Sequence, residues 1–108
     1  KNKFKLIQEV NDKNFRKYTL LIKTSKIKKI VSKDSKGDPV KFELVLIADF
    51  EVIENEKILL NKKIERKNIY DNKSDKFKLE QTEKIIIENL ARSISDMILS
   101  SIMILNDN

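Results

Sequence analysis

The sequence predicts an α+β fold, a two-layer sandwich. A mostly antiparallel sheet of three to four strands carries a short N-terminal helix and a long C-terminal helix on one face. Three observations predict it. First, Ile86, Ile87, Leu90, Ala91, Ile94, Met97, Ile98, Ser101, Ile102 and Leu105 recur at spacings of three and four, which sets small or apolar side chains on one stripe of a helix. Second, Phe42, Leu44, Leu46, Ala48, Phe50 and Val52 alternate with Glu43, Val45, Ile47, Asp49, Glu51 and Ile53, the period of a strand with one face on a core. Third, the connections between the strand-like stretches are too short for crossovers, so the neighbours run antiparallel.

In chain order, residues 1–10 hold Phe4, Ile7 and Val10 at a spacing that fits a short helix with one buried face. Asn11-Asp12-Lys13-Asn14 is a turn signal. In residues 15–24, Tyr18, Leu20 and Ile22 alternate with Thr19, Leu21 and Lys23 as a strand. Residues 25–31 set Ile27, Ile30 and Val31 among lysines and continue that strand past a bulge. The clearest loop is residues 32–39, which hold the only glycine, Gly37, and the only proline, Pro39.

Residues 40–54 are the best strand. Glu54-Asn55-Glu56-Lys57 is a hairpin turn, and residues 58–70 return. Ile58, Leu60, Ile64 and Tyr70 share the inner parity with Lys62, Arg66 and Asn68, so polar groups reach both faces. Asp71-Asn72-Lys73-Ser74 leads into the helix predicted over residues 74–105, with Ser74 or Asp75 as its N-cap. Asp75, Glu80 and Glu83 supply acid near the positive end of the helix dipole. Such a helix is about 45 Å long, longer than a small sheet is expected to cover. Its last turns, Ile102 to Leu105, are apolar nearly all round and are expected to touch something else.

The 108 residues make one domain, 1–108, with one modest core. The 40% of apolar residues are strongly patterned, so the chain folds despite 37% charged residues. Its net charge of +6 suits anionic partners such as nucleic acid, anionic lipid or a phosphorylated glycan, or else simply solubilises the surface. Cysteine and histidine are absent, which excludes a disulfide, a thiol nucleophile, a zinc site of the usual type and a Ser-His-Asp triad. The segment 71–75 resembles a calcium loop only superficially, since Lys73, Lys76 and Thr82 stand where ligands or glycine belong. The expectation is therefore no enzyme activity, no catalytic residue, no metal and no cofactor.

The basic residues carry the positive hint. Lys33 and Lys36 sit in the hairpin loop, and Lys73, Lys76 and Lys78 at the helix entry. These two groups approach each other if the strands are long. Lys62, Lys63, Arg66 and Lys67 cluster on the last strand. Aromatic residues do not interleave with the basic groups as a base-stacking platform requires.

The order of these pieces resembles the LptE family, the lipoprotein subunit of the outer-membrane lipopolysaccharide translocon, in its alphaproteobacterial form. The matching pieces are Tyr18-Thr19-Leu20-Leu21-Ile22, the turn Lys33-Asp34-Ser35-Lys36-Gly37, the strand from Phe42 to Val52, and Lys57-Ile58-Leu59-Leu60. Ile69-Tyr70-Asp71-Asn72, Phe77, and the helical stretch from Leu90-Ala91 to Ile98 follow. Together they span residues 18–102. The resemblance implies a non-catalytic subunit that plugs an LptD-like β-barrel, helps it assemble and binds lipopolysaccharide. It implies the periplasmic face of the outer membrane, with attachment only through a lipid anchor.

The family's lipidated cysteine and first strand are expected upstream of Lys1, which makes this chain a fragment. By position, the resemblance assigns lipopolysaccharide contact to Lys33, Lys36, Lys76 and Lys78, with Lys62 and Arg66 as additional basic contacts, and it expects no nucleic-acid partner. Two other readings stay open: a basic nucleic-acid-binding α+β module, and a homodimer joined through the apolar helix end.

Overall fold

The computed structural model describes the backbone of Asn2–Gln8 and the whole of residues 17–106. Four strands and one helix follow in order: β1 (Asn2–Gln8), β2 (Tyr18–Lys33), β3 (Pro39–Glu54), β4 (Lys57–Asp71) and α1 (Lys76–Asn106). The strands form one antiparallel meander in the order β1-β2-β3-β4.

The expected α+β architecture, an antiparallel sheet with a long C-terminal helix, is present. The expected N-terminal helix is not: Asn2–Gln8 is a strand whose register runs from Asn2 opposite Thr24 to Gln8 opposite Tyr18. The period-two run Lys3-Phe4-Lys5-Leu6 competes with the 4, 7, 10 spacing, and so short a helix is marginal on its own, whereas β2 offers a ready ladder of backbone partners. Val10, the last residue of the helical reading, lies outside the described residues. Among the described residues α1 is therefore the single helix on its face, and a strand stands before β2 within this chain.

Pairing fixes which side chains share the helix face. Leu20 opposes Val52, Ile22 opposes Phe50, and Phe42 opposes Tyr70. These residues fill two cores along α1. The larger joins Tyr18, Leu20, Ala48, Phe50, Val52 and Ile64 to Ile94, Ile98 and Ile102. The smaller joins Phe42, Leu44 and Tyr70 to Ile86 and Leu90. Tyr18 donates a hydrogen bond to Asn106 Oδ1 at 2.7 Å, which ties the end of α1 to the start of β2.

The expectation that the helix outruns the sheet is overturned. Strands of 15 and 16 residues span about 50 Å at ~3.3 Å per residue, as long as a 31-residue helix at ~1.5 Å per residue. The result is a rod of 61 × 21 × 20 Å. Ile102 is buried and Leu105 packs on the core, while Met103 and Ile104 stay exposed. The irregularity in β2 falls between Ile30 and Lys33, later than the sequence suggests.

The β3–β4 turn is a two-residue loop in which Asn55 and Glu56 both take positive φ, 51° and 66°. That geometry matches the twist of the strands but suits Asn-Gly better than Asn-Glu, because a Cβ in the left-handed region is strained. Glu56→Gly is expected to stabilise the protein by about 0.5–1 kcal/mol, read as a higher urea midpoint at unchanged slope.

Candidate functional site

One end of the rod gathers the β2–β3 turn and the entry to α1. Asp34 builds the turn. Its carboxylate accepts the backbone N–H groups of Lys36 and Asp38, both at 2.9 Å, and its carbonyl accepts Gly37 N–H at 3.0 Å. Gly37 sits at φ +88°, which a side chain would strain.

Asn72 straps this turn to the helix entry. Its backbone N–H donates to the Val40 carbonyl at 2.8 Å, and its side-chain Nδ2 donates to the Pro39 carbonyl at 3.0 Å. Beside it Lys41 pairs with Asp71 at 2.7 Å. The hydrogen bond and charge of Lys41 hold the Asp71 carboxyl below the usual range. Asp75 is the N-cap, accepting Phe77 N–H at 3.0 Å and Lys78 N–H at 3.3 Å.

The carboxylates Asp34, Asp71 and Asp75 at this end are thus committed to holding the loops. The ammonium groups of Lys33, Lys36, Lys76 and Lys78 make no ion pair among the described residues, and all four side chains are exposed. The two groups of lysines that the sequence separates by some forty residues therefore share one end, as long strands require.

Helix α1 begins at Lys76, so its first turn contains no acidic residue. Glu80 and Glu83 lie too far along to serve the dipole as the sequence suggested. The Asp75 carboxylate serves the positive helix end as the sequence suggests, and Lys76 and Lys78 add exposed positive charge beside it. Phe77, between them, is 68% exposed. The aromatic interleaving that the sequence reading discounted exists at this one position.

Lys62 and Arg66 are not part of this end. Lys62 opposes Phe50 and Arg66 opposes Leu46, about 26 and 13 Å along β4 from Tyr70. Arg66 is committed to the fold: its Nε donates to Ser93 Oγ at 3.0 Å and its Nη1 to the Glu65 carbonyl at 2.9 Å.

A second polar cluster, missed in the sequence, lies where α1 meets β2. Tyr70 donates to Glu83 Oε2, and Lys28 Nζ pairs with the same oxygen at 2.8 Å while sitting 4.2 Å over the Phe42 ring. Burial pushes the Glu83 carboxyl up, but the hydrogen bonds from Lys28 and Tyr70 and the lysine charges outweigh it and leave it lowered. Burial, together with Glu83, pushes the Tyr70 phenol well above its ordinary value. The signal was present: Glu83 stands three and four residues before Ile86 and Ile87, on the apolar stripe, and Lys28 shares the parity of Leu20 and Ile22.

The fold and this end define a narrow two-layer α+β domain with a basic tip built from two loops. No family model matches the chain, and no curated protein matches it. Among the described residues no helix is long and apolar enough to cross a membrane.

Proposed function

We propose that this chain is a non-catalytic subunit of the LptE type, which fills the lumen of an LptD-like outer-membrane β-barrel, assists its assembly and binds lipopolysaccharide. In this reading it works at the periplasmic face of the outer membrane, attached through a lipid anchor on the full-length protein. The observation that supports the proposal is that the β2–β3 turn, with Lys33 and Lys36, and the entry to α1, with Lys76 and Lys78, are strapped together by Asn72 at one end of the rod. Phosphates of lipid A are dianionic or nearly so, and ammonium groups held by separately braced loops suit them as point-charge partners. The rod is 21 × 20 Å in cross-section, a size that suits the plug of a large barrel. Lys62 and Arg66 contribute at most along the side, given the place of Arg66 against Ser93.

The exposed Phe77 between two lysines favours a second reading, a single-stranded nucleic-acid contact in which a base stacks on that ring. One titration separates the two. Fluorescent lipopolysaccharide and a fluorescent oligonucleotide are each added to the native protein and to a variant with Lys33, Lys36, Lys76 and Lys78 changed to Gln. The proposal expects lipopolysaccharide binding that weakens about tenfold or more in the variant, less with monophosphoryl than bisphosphoryl lipid A, and co-purification of the full-length protein with the barrel. Salt-sensitive binding of the oligonucleotide alone, lost on Phe77→Ala, would establish the second reading instead.

A further inference from the structure

We propose that the outer face of α1 pairs with the same face of a second copy of this chain, antiparallel, across a twofold axis beside residue 90. The contact uses the helix surface turned away from the sheet. It stands apart from the lipopolysaccharide reading, which rests on the lysines of the tip.

Four large apolar side chains of α1, Phe77, Ile85, Leu99 and Met103, are 68, 57, 51 and 65% exposed. They are not scattered. At about 100° per residue they fall within roughly 80° of one another around the helix, on a line opposite the buried Leu90. Gln81, Glu88, Arg92 and Ser95 complete the line, and all four are exposed. From Phe77 to Met103 the line runs about 40 Å.

The line complements its own reverse. Turned end for end about residue 90, Phe77 meets Met103 of the second copy and Gln81 meets Leu99. Ile85 meets Ser95, and Glu88 meets Arg92. Each contact occurs twice, as an isologous twofold interface requires. A thioether lies against a ring at both ends of the line, a favourable pairing, and the short Ser95 leaves room for Ile85.

Charge selects the antiparallel direction. A carboxylate faces a guanidinium on each side of the axis, whereas a parallel pair in register would set Glu88 on Glu88 and Arg92 on Arg92. Among the described residues of the single chain Glu88 makes no ion pair, and Arg92 Nη1 donates only to Asn89 Oδ1, at 3.2 Å. The helix ends agree. The last turn of α1 has no basic residue, and the antiparallel pairing brings Lys76 of the second copy to that negative end. A contact about 40 Å long and one helix wide buries about 1,000 Å² over both copies, the low end for specific association, so the dimer exchanges with the monomer.

Sedimentation equilibrium from about 5 to 500 μM is expected to show a reversible rise from one chain to two. Glu88→Arg and Arg92→Glu each set like charges across the axis. Each variant, checked for an unchanged circular dichroism spectrum, is expected to weaken association about tenfold or more. An equimolar mixture of the two variants sets opposite charges together again and is expected to associate as the native protein does. A native protein that stays monomeric at the highest concentration would overturn the proposal. So would association that either variant leaves unchanged, or a mixture no tighter than the variants alone, because both results put the contact elsewhere on the molecule.

Discussion

Phe50→Ala is expected to lower the thermal midpoint by about 15 °C or more and to leave part of the protein unfolded at 37 °C. Phe50 is 1% exposed and lies at the middle of the larger core, between Ile22 and Lys62 in register and under Ile94 and Ile98 of α1. Truncating a buried phenylalanine removes its transfer free energy and leaves a cavity that the long strands cannot close, a loss of about 3–5 kcal/mol. A domain of this size is stable by about 5–15 kcal/mol, so the loss is a large share of the whole. Each kcal/mol moves the midpoint by roughly 4–8 °C. The control is Ile85→Ala, on the exposed side of the same helix, expected to stay within about 0.5 kcal/mol of the native protein. Equal losses in the two variants would mean that the core does not lie where the register puts it.

The second large effect concerns Glu83, and its sign follows from the directions of the shifts. A carboxyl lowered in the folded state contributes stability that is fully present above its unfolded value. That contribution is lost as pH falls through the folded value. For Glu83 the loss begins below about pH 4–5. The Tyr70 phenol is raised, so its contribution is present below its unfolded value, about pH 10, and is lost as pH rises toward the folded value. One contact therefore shapes both limbs of the stability profile.

Glu83→Gln is expected to lower stability at pH 7 by about 1 kcal/mol. That figure is less than for a dry charged hydrogen bond, because Lys28 and Glu83 both remain partly open to water. The gap to the native protein should close on acidification, and the late-titrating tyrosine should ionise at lower pH in the variant. Urea midpoints measured from pH 2.5 to 8, with tyrosine absorbance above pH 9, check both limbs. A pH-independent gap would mean that the carboxylate is not what holds Tyr70 and Lys28.

The acid limb also explains how the two layers are joined. Helix α1 packs on β3 and β4, and the bonds described above link it to β2 at both ends, through Glu83 to Lys28 and through Asn106 to Tyr18. Arg66 to Ser93 and Tyr70 to Glu83 add polar links from β4, and the two cores between helix and sheet are apolar.

Much of this architecture is legible in the residues. The alternation from Phe42 to Val52 and the three-and-four spacing from Ile86 to Leu105 are long, strict patterns, and each permits one element and one buried face. Gly37 and Asp34 mark one turn and Asn55 the other, because positive φ and side-chain capping need those residue types. Asp75 is legible as a cap for the same reason. The segment Asn2–Gln8 was not, since Phe4, Leu6 and Ile7 satisfy both periods over so few residues. The open edge of β2, supplied by the rest of the chain, decides between them.

The sequence by itself determined the local geometry: three long strands, two tight turns and one helix, each written in a repeating side-chain period. Only the tertiary structure decided what meets what. It brought the loops that carry Lys33, Lys36, Lys76 and Lys78 to one end of the rod, took Arg66 away from them to Ser93, and turned Glu83 toward Tyr70 and Lys28. The reason is physical. Periodicity states which face of an element is apolar, but the distance between groups forty residues apart depends on strand register, and register is fixed by all the pairs acting together.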